Sequence, residues 1–153
     1  MHSVLIVGFG NTLLRDEGIG SWVVQELKKR ELPANVEVID GGTLSLDVLL
    51  DGRDIQRLII VDALKGGGDP GTVYRVPWRE LLTAKTQPLS LHQFDLLHIL
   101  WLIKQMKIKC RDITIIGVEP REVEWGMGLS EDIQKKLPEI VGIVLKEVED
   151  AHN

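Results

Sequence analysis

The sequence predicts an α/β fold: a three-layer α/β/α sandwich with about five strands in a mostly parallel sheet. Continuous apolar runs at Val4 to Gly8, Leu58 to Val61 and Ile113 to Val118 read as strands buried on both faces, since they do not alternate with polar residues. Segments with helical spacing separate or follow them. The 153 residues, 44% hydrophobic, suit a single domain over 1–153 with a proper core.

After the first strand comes a glycine-bounded loop carrying Asp16 and Glu17, and from Gly18 the spacing turns helical, with Ile19, Trp22, Val23 and Leu27 on one side. It ends before Pro33. Val36 to Ile39 is a second strand, stopped by Asp40-Gly41-Gly42-Thr43, and Leu44 to Leu50 fits a short helix. Asp62 stands at the carboxyl end of the third strand. The connection from Leu64 to Gly71 is too short for a parallel crossover, so Thr72 to Pro77 is expected to be an antiparallel neighbour of the third strand.

A polar loop, roughly 79–89, precedes Ser90-Leu91-His92-Gln93, which has capping-box form with Ser90 as N-cap of a helix reaching about Met106. The strand from Ile113 to Val118 opens into Glu119-Pro120 and an irregular segment through Gly128. Ser130 then caps a terminal helix whose apolar positions keep their spacing across Pro138, where a kink or brief break is expected.

Charge and composition exclude several classes. Net charge is −5, and lysine and arginine are scattered, which argues against nucleic-acid binding. No apolar run is long enough to insert in a membrane and no signal peptide is evident, so a cytoplasmic location is expected. The single cysteine, Cys110, reads as structural. A serine triad lacks its Gly-x-Ser-x-Gly elbow. A dinucleotide site lacks its third glycine, where Leu13 stands, and Asp16 and Glu17 occupy the place of a pyrophosphate.

The same geometry suits a metal. In a parallel sheet Glu17, Asp62 and His92 all belong to the carboxyl edge, giving an oxygen and nitrogen set for a divalent transition ion. Asp95, three positions after His92, shares its face and is placed to orient the ring, or is simply solvated. Asp16 and Glu17 also suit helix capping, and Asp62 a strand-end turn. His98 points elsewhere on its helix, and His2 and His152 are terminal. Trp22 and Trp101 have helix-core spacing, whereas Trp78 and Trp125 fall in loops suited to anchoring a protein partner.

Gly8-Phe9-Gly10-Asn11, Asp16-Glu17-Gly18-Ile19-Gly20, Asp40-Gly41-Gly42-Thr43, Val61-Asp62-Ala63, Pro70-Gly71-Thr72, Leu91-His92-Gln93, Gly117-Val118-Glu119-Pro120 and Gly128-Leu129-Ser130 resemble, in order, the nickel-iron hydrogenase maturation endopeptidases. The resemblance implies a cytoplasmic endopeptidase that removes a C-terminal extension from the hydrogenase large-subunit precursor after nickel insertion. Glu17, Asp62 and His92 match the family's metal-binding and catalytic positions, with Asp40 a further acid near them. Some relatives carry aspartate where Glu17 stands. The resemblance also implies nickel presented by the substrate, with cadmium or zinc able to occupy the site in vitro.

Two other readings fit parts of the chain. A peptidyl-tRNA hydrolase has a similar opening strand and Gly-x-Gly-Asn turn, but also a histidine before its first helix and a basic surface. A nickel-checking binding module that does not cut would use the same three ligands.

Overall fold

The computed structural model describes residues 4–42, 54–77, 90–91 and 109–150. Strand β1 (Val4–Phe9) leads through a single 3-10 turn (Arg15–Gly18) into helix α1 (Ile19–Lys28). Strands β2 (Val36–Gly42), β3 (Asp54–Lys65), β4 (Val73–Pro77), β5 (Ser90–Leu91) and β6 (Lys109–Val118) follow, and helix α2 (Glu131–Asp150) closes the chain.

The main sheet has the order β2-β1-β3-β6-β4. Strand β1 pairs in parallel with β2 and β3, and β3 in parallel with β6, while β4 runs antiparallel at the edge. This is the mixed, mostly parallel α/β sheet that the buried runs predict.

Alternate residues of the sheet serve two cores. Val4, Ile6, Ile59, Val61, Ile116 and Val118 pack with Ile19, Val23 and Leu27 of α1 and with Ile133, Leu137, Ile140, Val144 and Val148 of α2. Leu5, Val7, Phe9, Leu58, Ile60, Ile113 and Ile115 form the other core, on the opposite face. Burial on both faces is why these strands read as unbroken apolar runs, each such side chain contributing about 1.5–3 kcal/mol of hydrophobic stabilisation.

Several local expectations are corrected. Strand β4 is the antiparallel neighbour of β6, with Val73 opposite Val118 and Pro77 opposite Thr114, not of the third strand. The glycine-rich connection therefore steps over β6, whose place beside β3 is fixed by its long parallel ladder. Strand β2 does not stop at Asp40 but continues through Gly42, because Asp40 and Gly42 still pair with Gly8 and Phe9 across a register shift.

Ser90 and Leu91 pair antiparallel with Lys65 and Leu64, so Ser90 is not an N-cap followed at once by helix. Helix α2 runs unbroken through Pro138. The segments expected as a helix at 44–50, a loop at 79–89 and a helix from His92 to Met106, along with Trp78 and Trp101, lie outside the described residues.

Candidate active site

The strand order reverses between β1 and β3: the chain leaves β1 for β2 on one side and returns to β3 on the other. In open α/β sheets the crevice at the carboxyl ends of two such strands is where ligands bind. The 3-10 turn after β1 carries Glu17 to this crevice. Asp62 lies there too, one residue beyond Val61, the last β3 residue paired with β1.

The loop before Glu17 is built locally. Asn11 accepts the Leu13 amide on Oδ1 at 3.0 Å and the Leu14 amide on its own carbonyl at 3.0 Å, a side chain mimicking a backbone turn. Gly10 has φ +147°, and a Cβ there would stand 2.1 Å from the Glu17 carbonyl, so only glycine lets the loop close on the turn bearing the acid. Gly20 has a different role. Its Cβ would meet the carbonyls of Phe9 at 2.2 Å and Val61 at 2.3 Å, which shows how closely α1 approaches β1 and β3. The glycines thus bring backbone against backbone.

Asp62 is fully buried. Its Oδ1 accepts the Ala63 amide at 2.8 Å, whereas its Oδ2 is buried with no hydrogen-bond partner among the described residues. Burial pushes its pKa up to about 8; the Ala63 N–H opposes this and the charge of Glu17 adds to it. Glu17 is itself buried. Two acids have been brought together out of water, one of them with an oxygen that no described residue satisfies.

Among the described residues no three histidine, cysteine or acidic side chains converge as a metal-binding group. Glu17 and Asp62 are brought to one crevice, while His92 and Asp95 lie outside the described residues, as do His98, His2 and His152. Asp40 accepts a hydrogen bond from Ser21 Oγ at 2.7 Å and so fastens α1 to β2.

Asp16 does not cap α1. It is buried and gathers the amides of Arg121 and Glu122 at 2.9 Å each on Oδ2, the Ser130 amide at 2.7 Å on Oδ1 and the Ser130 hydroxyl at 2.7 Å on Oδ2. The residue paired with Glu17 in sequence therefore holds the loop after β6 against the first loop. Ser130 precedes α2 as expected, with its carbonyl accepting the Gln134 amide, but its hydroxyl is directed to Asp16.

Glu119 is a further structural acid of this edge. Its Oε1 accepts the amides of Gly66 at 2.8 Å and Gly68 at 3.0 Å and the Tyr74 hydroxyl at 2.8 Å, fixing the glycine-rich loop that follows Asp62. Burial raises its pKa, but these donors more than reverse that and hold it below the usual range. The only sequence signal for this role is an acid directly after a buried strand.

The chain and its fold have known counterparts. The family model described as hydrogenase maturation protease matches residues 22–147. The chain belongs to the hydrogenase maturation protease family. It is 34% identical to the hydrogenase 2 maturation protease of Escherichia coli over 133 residues, covering 86% of this chain and 81% of that protein.

Among solved structures, the hydrogenase maturating endopeptidase HybD from E. coli superposes with a TM-score of 0.80 at 31% identity, covering 97% of this chain and 93% of that one. The hydrogenase 2 maturation peptidase from Thaumarchaeota archaeon SCGC_AB-539-E09 gives a TM-score of 0.72 at 29% identity, covering 95% and 97%. As a hydrogenase maturation endopeptidase the chain hydrolyses a peptide bond, and its substrate is a polypeptide.

Proposed function

We propose that this peptidase removes the C-terminal extension of the nickel-iron hydrogenase large-subunit precursor after nickel insertion, and that Glu17, Asp62 and His92 recognise the nickel carried by that substrate. The observation supporting this reading is Asp62 Oδ2, a buried oxygen without a partner among the described residues, beside a second buried acid at the sheet's switch point. A buried carboxyl oxygen without a partner is costly, and a cation brought by the substrate offsets both that cost at Asp62 and the repulsion from Glu17.

Carboxylate and imidazole donors suit nickel, and three of them are few enough to leave the ion with its substrate ligands. Recognition then separates loaded from unloaded precursor by whether the acids are compensated. An acid beside the ion activates water for attack on the scissile carbonyl, a role worth roughly 10²–10⁴ in rate. Cadmium or zinc fits the same donors in vitro.

Incubation of the purified protein with nickel-loaded and nickel-free precursor tests this. A shortened large subunit is expected only in the loaded sample, and Glu17→Gln or Asp62→Asn should slow its appearance by about 100-fold or more. Equal cleavage of both precursors, or normal cleavage by His92→Ala, overturns the reading.

A further inference from the structure

Three large apolar side chains stand out among the described residues as exposed: Leu13 at 50%, Met127 at 64% and Trp125 at 77%. They are 112 to 114 positions apart in sequence at the extremes, yet the backbone stitches them together. Leu14 and Gly126 form a parallel bridge, the Gly126 amide donates to the Leu13 carbonyl at 2.9 Å, and the Arg15 amide donates to the Gly126 carbonyl at 3.1 Å. Trp125 and Met127 flank that glycine. The Arg15 side chain lies over it, its Nε 2.6 Å from where a Cβ would stand.

The patch is also tied to the acid-bearing turn. The Asp16 amide donates to the Glu122 carbonyl at 3.0 Å, and the Asp16 carboxylate holds Arg121, Glu122 and Ser130. Leu13 and Glu17 are thus two ends of one short loop clamped along its length. Large apolar side chains kept in water on a held loop mark a binding surface, and tryptophan is the residue type that most often dominates one. The enzyme's substrate is a polypeptide, and the patch is continuous with the turn that carries Glu17 to the crevice. This continuity selects the occupant.

We propose that Leu13, Trp125 and Met127 form the docking surface for an apolar segment of the polypeptide substrate, next to the crevice that receives the scissile bond. The identity of that substrate as the nickel-loaded large-subunit precursor rests on the reading above. Docking here sets affinity, while Glu17 and Asp62 act in the chemical step. Substrate selection therefore has an apolar component separate from metal recognition.

The test uses the whole protein and purified nickel-loaded precursor. Trp125→Ser and the pair Leu13→Ser with Met127→Ser should raise KM, and the Kd measured by calorimetry, by about tenfold or more with kcat within about twofold. Circular dichroism and melting temperature should match the parent, because these side chains are in water. Unchanged KM and Kd in both variants overturns the docking surface while leaving the functional reading intact.

If the parent binds the precursor without shortening it, the functional reading fails; weakened binding by the variants then still supports the surface. A shift from dimer to monomer on sedimentation, with precursor affinity unaltered, makes the patch a contact between copies and overturns the proposal.

Discussion

Asp16 and Ser130 are joined by two hydrogen bonds of 2.7 Å each, one from the Ser130 amide and one from its hydroxyl, so the start of the last helix is bound to the first loop of the chain. Asp16→Asn replaces an acceptor oxygen with an amide group that faces these donors. A loss of about 3 kcal/mol in urea unfolding is expected, as for a buried charged acceptor with several partners, together with a lower kcat as the 3-10 turn loosens. A loss below about 1 kcal/mol would mean that the backbone bonds alone hold the loop.

Gly20 and Gly142 separate two meanings of a helical glycine. At Gly20 a methyl group would lie 2.2 Å from the Phe9 carbonyl and 2.3 Å from the Val61 carbonyl, both backbone atoms. Gly20→Ala should cost about 3 kcal/mol, at the upper end for overpacking. At Gly142 nothing lies within 4 Å of the corresponding position, and Gly142→Ala should stabilise by about 0.5–1 kcal/mol through helix propensity. Paired chemical-denaturation curves check the opposite signs.

Glu147 sits buried on α2 and bonds Arg75 at 2.7 and 2.9 Å as well as Arg57, which also reaches Thr114 at 2.9 Å. Burial raises the Glu147 pKa, but the Arg75 hydrogen bond and the charges of Arg57 and Arg75 more than reverse this, leaving it lowered from 4.5. A depressed carboxyl stabilises the fold fully above its unfolded value and loses that contribution as pH falls through the folded one. Stability measured across pH 7 to 3 should decline below about 4.5, the carboxyl's ordinary value. Glu147→Gln should flatten that decline and cost about 3 kcal/mol at pH 7 by leaving Arg57 without its buried partner.

Cys110 should be inert in the native protein. Its thiol is pushed up to about 11, chiefly by burial, and donates to the Asp112 carbonyl at 3.4 Å. At pH 8 roughly a thousandth is thiolate, against about a quarter for an ordinary free thiol. Iodoacetamide should therefore label native protein about 100-fold more slowly than protein in urea, and equal rates would place the thiol in water.

The parts of the fold legible in the sequence are those set by local burial. Val4 to Gly8 and Ile113 to Val118 are apolar because both faces of the sheet are covered, and that pattern needs no knowledge of neighbours. The partner of β4 was not legible. Thr72 to Pro77 shows an edge strand by its short connection, but which edge it joins is decided by the long β3–β6 ladder. Ser90 misled for a similar reason: a short polar sequence that suits a cap is paired to Lys65 instead.

The meeting of Glu17 and Asp62 at one crevice was legible because loop and strand end both belong to the carboxyl edge. The work of Asp16 was not. Its partners at Arg121, Glu122 and Ser130 are more than 100 positions away, and nothing near Asp16 in sequence announces them.

That separation has a consequence during synthesis. A nascent chain emerging from the ribosome through β6 already contains Glu17 and Asp62, but not the amides and hydroxyl that hold the turn between them. Contacts this distant in sequence form late, after the intervening chain has been made and closed into a loop. The first loop is therefore fastened only once the last helix has been made, and a prematurely terminated chain carries Glu17 and Asp62 without the contacts that Asp16 makes to Arg121, Glu122 and Ser130.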